Sequence, residues 1–217
     1  MKEHRYLSID VETTGLSDEY CQLLEIGVVI EDWETPVDEL PSWQCYVESP
    51  DTNNGEPFYY GTPYALWLNA RIFEYLAKRP KDEAEAIEMG FDHWGQILRH
   101  NEIGIELAGW LDRHDFDLRD HLTAAGKNFG SFDRLFLRQI SSLAKQNIIF
   151  RHRAIDPVAY YWRPEEDGNR LPGMETCMER AGLPGEVPHN AIDDAKIVIK
   201  LIRQAKVLGL IPGKQIR

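Results

Sequence analysis

Cysteine is scarce in this chain: Cys21, Cys45 and Cys177 are the whole complement of its 217 residues. The number is odd and no pair has Cys-x-x-Cys spacing. That argues against a disulfide framework or a zinc ribbon and favours a reducing, cytoplasmic setting. Long apolar runs are missing too. None approaches the roughly 20 residues of a membrane span, so no membrane role is expected. The start, Met1-Lys-Glu-His-Arg-Tyr6, lacks the apolar stretch of a secretory leader. Positive charge is in short supply, with 24 Lys and Arg against 36 Asp and Glu, for a net charge of −12. Proteins that coat long duplex nucleic acid are usually basic, because neutralising phosphate drives their affinity. That class is disfavoured here. Repeats, low-complexity tracts and interdomain linkers are also lacking, and the length suits one domain over 1–217.

The charge that is present is uneven. Residues 127–153 hold six Lys or Arg and one acid, Asp133, whereas 81–93 hold five acids and one Lys. Such runs are commonly solvated helix surface. The alternative is a basic wall beside Asp133 that receives a phosphate chain.

Apolar periodicity predicts strands at 4–11, 23–32 and 43–48, then a loop over 49–61 rich in Asn, Gly and Pro. Short links make the first strands antiparallel neighbours. Helices are expected near 62–78, 82–99 and 103–114, the last with Ile103, Leu107, Trp110 and Leu111 on one face. A strand at 122–129, a helix at 131–144 and a strand at 147–155 follow. The helix should turn Phe132, Leu135, Phe136 and Ile140 inward. A loop at 164–173 and helices at 174–182 and 190–208 complete the chain. This order implies an α/β fold, one mixed sheet with helices on its faces.

Five residues carry the candidate chemistry. Asp10 and Glu12 stand at i and i+2 on the first strand, so their side chains leave the same face. Apolar Leu7 and Ile9 lead in and Thr13-Thr-Gly-Leu16 leads out. A carboxylate ending a buried strand is costly unless paired or bound to a metal. Asp133 begins a helix after a buried strand, where the helix N-terminus alone would also favour a carboxylate. His189 precedes the last helix, Asn190 can cap it, and Asp194 lies in its first two turns. Asp193, about 100° round the helix from Asp194, should point elsewhere. Each residue alone has an ordinary structural explanation. Gathered together, the four carboxylates would repel one another and need a cation.

The three segments together resemble the DEDDh exonucleases. These are ribonuclease-H-like 3′→5′ exonucleases that include oligoribonuclease, ribonuclease T and the proofreading subunit of bacterial DNA polymerase. Asp10-Val-Glu-Thr-Thr-Gly-Leu16 resembles their first motif and Asn128-Phe-Gly-Ser-Phe-Asp133 the second. The Asn-to-Asp step of the second is more like oligoribonuclease than the proofreading type. His189-Asn-Ala-Ile-Asp-Asp194 resembles the third, with the spacing of the histidine subclass. The resemblance runs from 6 to about 205 and is weakest across 50–115.

It implies a mixed five-stranded sheet flanked by helices. It also implies two divalent cations, Mg²⁺ or Mn²⁺, held by Asp10, Glu12, Asp133 and Asp194. Carboxylate oxygens suit such hard ions. His189 would be the general base, and a histidine's ordinary pKa suits that task near neutral pH. Val11, Thr13, Thr14, Leu16 and Asn128 are the candidate substrate contacts. The implied partner is a single-stranded or short oligonucleotide, RNA or DNA. A homodimer is left open. The aromatics at 58–60, 64, 67 and 73 could stack on bases, although large rings more often fill interiors.

Overall fold

The computed structural model describes residues 5–185 and 187–211. Residues 1–4, where the sequence analysis expects no secretory leader, and the end of the tail lie outside these. Strands β1 (Tyr6–Thr13), β2 (Leu23–Glu31) and β3 (Ser42–Val47) form an antiparallel meander. A ribbon of β4 (Thr52–Asn53) and β5 (Glu56–Pro57) leads to α1 (Pro63–Leu68), α2 (Ala70–Lys78) and α3 (Glu83–Glu88). Then come β6 (Gln96–Leu98), α4 (His100–Arg113), β7 (Ala124–Ala125), α5 (Asp133–Leu137) and α6 (Ser141–Lys145). Helices α7 (Pro164–Asp167), α8 (Met174–Ala181) and α9 (Ala191–Val207) finish the chain. The five-stranded sheet has the order β6-β3-β2-β1-β7, with β6 and β7 parallel to their neighbours. It is the mixed, helix-flanked sheet expected from the sequence.

Strand alternation divides the core. On β1, odd-numbered Leu7, Ile9 and Val11 join the cluster containing Ile103, Leu107, Phe136 and Ile140 from α4, α5 and the link to α6. The even-numbered residues face α9. Tyr6 shares the second cluster with Ala195, Val198 and Ile202, and the Ser8 hydroxyl donates to the Ala195 carbonyl at 2.7 Å. The same face must therefore carry Asp10 and Glu12 toward α9. Helix and strand meet closely: a Cβ on Gly27 would lie 2.4 Å from the Ala191 carbonyl carbon. Only glycine fits there.

The register of β1 on β2 shifts between Glu12 and Thr13. Glu12 faces Glu25, but Thr13 faces Leu23. Leu24 is the extra residue of this bulge. It turns into a third cluster with Tyr46, Tyr75 and Phe91, while Leu23 stays in the first.

Several boundaries differ from expectation. The fifth strand is Gln96–Leu98, inside the stretch predicted as a helix over 82–99. Gly90, at φ 82°, turns the chain after α3 and frees the rest to pair. The expected strand at 147–155 makes only isolated bridges, Leu122 to Phe150 and Ala125 to Ile155. Expected helices 62–78 and 131–144 are each broken in two. In the latter, Leu137 rather than Leu135 is buried beside Phe136. The predicted loop at 164–173 begins with α7, whose Asp167 accepts from Arg180 at 2.6 and 2.8 Å. The three cysteines are buried and free. No helix of the described residues is long and apolar enough to cross a membrane.

Candidate active site

The end of β1 and the start of α9 bring the acids together. One carboxylate oxygen each from Asp10, Glu12 and Asp194 lie within 4.8 Å of one another. Asp133, 2 % exposed, stands at the first turn of α5. Its Oδ1 accepts from the Val11 N–H at 3.1 Å, which ties α5 to the residue between Asp10 and Glu12. Asp133 is outside the tight group of three, yet its charge presses on Asp10.

Three buried side-chain atoms of the described residues lack a hydrogen-bond partner: Tyr6 Oη, Asp133 Oδ2 and Asp194 Oδ1. Two of the three belong to this site. A buried carboxylate oxygen with no donor is expensive, and a hard cation is the natural partner for a group of them. The donor set therefore fits Mg²⁺ or Mn²⁺.

The start of α9 is fixed from several directions. Asn190 caps it, accepting from the Asp193 N–H at 2.9 Å. Asp193 points away from the acid group, as its helical position predicts, and lies 3.0 Å from His93 Nε2. That contact holds the Asp193 carboxyl down to about 2 and pushes His93 up. Glu25, fully buried on β2, accepts from the Ala191 backbone and from Gln44 Nε2. Neither Glu25 nor His93 is singled out by the sequence analysis. For Glu25 the signal was present: an unpaired acid inside the apolar run Leu23–Ile30 must find donors or share a site. His93 is a hundred positions from Asp193, and no local pattern links them.

Burial and crowding raise the carboxyl pKa values throughout. Asp10 is held well up by burial, then by the charges of Asp133, Asp194 and Glu12. Glu12 is pushed up to about 8 by burial and the charge of Glu25. Asp194 is pushed up to about 7, and so is Glu25, burial being the main cause in both. Burial also raises Asp133, against the pull of the Val11 N–H.

These shifts have a thermodynamic consequence. In the metal-free protein the folded chain binds protons that the unfolded chain releases near pH 4. The cluster costs nothing below that pH, and its cost grows as pH rises toward about 8. Acids with lowered values, such as Asp193 and Asp167, act in the opposite sense but around pH 2–4. Between pH 5 and 8 the melting temperature in EDTA should therefore fall. Mn²⁺ should restore it, by more at each higher pH. A gap between the two curves that stayed constant with pH would show that the cluster is not the cation's site.

A cleft of about 830 Å³ opens over the acids. His189, exposed and at the left-handed φ of 56°, lines it with Asp10, Glu12 and Asp194. Val11, Leu16, Asn128 and Lys127 are also in its wall. A second, more apolar chamber of about 880 Å³ adjoins it and shares Val11, Glu12, Leu16 and Phe132. Thr13, which is buried, also lines this chamber, and its hydroxyl donates to the Gly15 carbonyl at 2.7 Å. Thr14 has no exposed surface. Its hydroxyl accepts from the Gln22 N–H at 2.7 Å, so its observed task is to hold the turn after β1. Leu16, 86 % exposed, stands on the ridge between cleft and chamber. Of the basic run 127–153, Lys127 reaches the cleft. Arg151 pairs with Asp120 and Arg134 donates to the carbonyls of Phe150 and Arg151.

Compared with protein-family models and with curated proteins, the chain matches none. Its fold does match solved structures. E. coli Exonuclease I in complex with a dT13 oligonucleotide superposes with a TM-score of 0.57 at 14 % identity, over 95 % of this chain and 42 % of that one. Another E. coli Exonuclease I structure gives 0.58 at 14 %, over 94 % and 41 %. A moderately thermophilic Exonuclease I from Methylocaldum szegediense gives 0.55 at 16 %, over 94 % and 40 %. The chain thus spans about two fifths of the length of these proteins. The likeness establishes the fold: a ribonuclease-H-like α/β architecture around the sheet described above.

Proposed function

We propose that the chain is a metal-dependent 3′→5′ exonuclease, acting as one domain, that releases nucleoside 5′-monophosphates from single-stranded or short nucleic acid. The observation that carries this is the convergence of Asp10, Glu12 and Asp194 within 4.8 Å, with buried, donorless oxygens on Asp133 and Asp194. These four residues would hold two Mg²⁺ or Mn²⁺ ions. Such ions supply stabilisation of the attacking and leaving oxygens in an in-line displacement at phosphorus.

The chain's own residues supply the rest. A ring nitrogen of His189 takes the proton of the attacking water. The water oxygen bonds to phosphorus, the bond from phosphorus to the 3′ oxygen breaks, and that oxygen is protonated from solvent. Asn190 and Glu25 fix the helix start that carries His189 and Asp194 to the cleft. Val11, Leu16 and Asn128 line the path of the terminal nucleotide, and Thr13 lines the apolar chamber beside it. Negative net charge favours short or single strands held by stacking and cations over long duplexes. Structural neighbours carry dT13 and dA16 oligonucleotides, and one is the zinc-bound form of an E. coli complex with single-stranded DNA. Single-stranded DNA is therefore the first substrate to test, and dinucleotides and RNA belong beside it.

Purified protein should release 5′-mononucleotides from the 3′ end of a labelled single strand with Mg²⁺ or Mn²⁺, and none in EDTA. Binding without release under either metal would reject the enzyme and leave a nucleic-acid-binding module on the same fold.

A further inference from the structure

His189 is aimed by its backbone. The residue is exposed, and no hydrogen bond among the described residues holds its ring. Its φ of 56° lies in the left-handed region, where a histidine stays only if its surroundings fix it. On its C-terminal side stands Asn190, extended at φ −140° and ψ 146°. The Asn190 side chain is held twice by one residue. Its Oδ1 accepts from the Asp193 N–H at 2.9 Å, and its Nδ2 donates to Asp193 Oδ2 at 2.9 Å. The first bond is the helix cap. The second depends on where the Asp193 carboxylate points.

That carboxylate is placed from outside the helix. His93 Nε2 lies 3.0 Å from the same Oδ2. An ionised carboxylate only accepts, so Nε2 carries the proton and donates. His93 is itself pinned on both sides. Two residues before it, Phe91 is buried in the third core cluster, with the Arg71 guanidinium 4.4 Å from its ring centroid. Two residues after it, Gly95 donates its N–H to Tyr75 Oη at 3.0 Å and accepts from that hydroxyl at 2.7 Å. Tyr75 is fully buried. Lys196 and Glu25 are the other charges that act on the imidazole, with opposite signs. The link runs from a braced loop before β6, through Asp193, to Asn190 and the backbone of His189. An isolated ion pair with side chains 30 % and 32 % exposed would add little stability. This pair differs in that His93 and Asn190 share one acceptor atom.

We propose that His93 is a positioning residue: through Asp193 and Asn190 it fixes the backbone turn that aims His189 into the cleft. The inference rests on the exonuclease reading, in which His189 takes the proton of the attacking water. His93 lines neither the cleft nor the acid group, so its contribution is geometric. A reacting group misplaced by about 1 Å can cost about 10²-fold in rate. An electrostatic role for Asp193 would have the opposite sign. Its charge disfavours ionisation of its neighbour Asp194, so removing that charge helps the acid. A rate lost with Asp193 is therefore lost through position.

The test measures kcat and KM for a labelled single-stranded oligothymidylate with Mn²⁺, using the parent, His93→Ala, His93→Gln and Asp193→Ala proteins. His93→Ala should lower kcat about 10- to 100-fold and leave KM near the parent's. Glutamine, whose amide N–H can replace the Nε2–H, should restore most of the rate. In Asp193→Ala the cap survives, because Asn190 still accepts from the backbone N–H of residue 193. Its kcat should fall as in His93→Ala, and the variant carrying both changes should fall no further. Parental kcat in the two alanine variants, or a double loss equal to the product of the single ones, overturns the proposal. A loss of Mn²⁺ stabilisation in step with the rate also overturns it, by making the pair a support of the acids. Should His93→Ala not fold, Asp193→Ala decides by the same criteria. A parent protein that cuts nothing defeats the exonuclease reading alone. The imidazole Cε1–H resonance of His189, the one missing from His189→Asn, then decides the link in EDTA. It should shift or broaden in His93→Ala, and an unmoved resonance overturns the link.

Discussion

Asp10→Asn protein should release mononucleotides about 10²–10³-fold more slowly than the parent, or not measurably, the scale of losing a charge-stabilising group at a reacting centre. Without metal it should melt at a higher temperature. Both effects come from one arrangement. Asp10 is the acid pressed by the most neighbours: Asp133, Asp194, Glu12 and Glu25 all raise its pKa, on top of its burial. Asparagine keeps the shape and removes one charge, so a cation loses a ligand while the empty cluster loses repulsion. In a chain of this size each kcal/mol gained moves the midpoint by roughly 2–4 °C. Calorimetry in EDTA and a mononucleotide-release assay with Mn²⁺ measure the two effects. An Asp10→Asn protein that cuts at the parent's rate defeats the assignment. One that is inactive but less stable would make Asp10 a structural acid.

His189 calls for a different substitution. At φ 56° it occupies the left-handed region, which costs most residues free energy and which asparagine tolerates best after glycine. His189→Asn therefore removes the proposed base with the least disturbance of the loop before α9. The rate should fall about 10²–10⁴-fold, the usual contribution of a general base. The shape of the pH–rate profile should change. The stabilisation given by Mn²⁺ should stay, because the acid oxygens that converge here come from Asp10, Glu12 and Asp194. Loss of that stabilisation together with the rate would move His189 from proton transfer to cation binding. An unchanged profile would place the base elsewhere.

Much of this site was legible before any coordinates, because it is built from short-range rules. Two-residue alternation placed Asp10 and Glu12 on one face, and that face is turned toward α9. The capping preference of asparagine located the start of α9 at Asn190, and helical rotation turned Asp193 away from Asp194. What escaped depends on pairing over distance. Glu25 lies in a strand whose nine residues are all buried, so alternation says nothing about its partners. Gln96–Leu98 becomes a strand only because β3 offers it an edge, and its three residues carry too little pattern to be read alone. Thr14 illustrates the reverse: its motif position suggests a ligand contact, while its hydroxyl is already taken by Gln22.

The skipped residue Leu24 has a consequence for how the proposed exonuclease could change its diet. Up to Glu12 the sheet keeps one strict phase, and past it the phase is reset. The two acids that β1 gives to the cluster, Asp10 and Glu12, belong to the first stretch, and Thr13, Gly15 and Leu16 of the apolar chamber's wall to the second. Rebuilding 13–22 together with 58–69 would reshape the apolar chamber while leaving Asp10 and Glu12 in their original alignment.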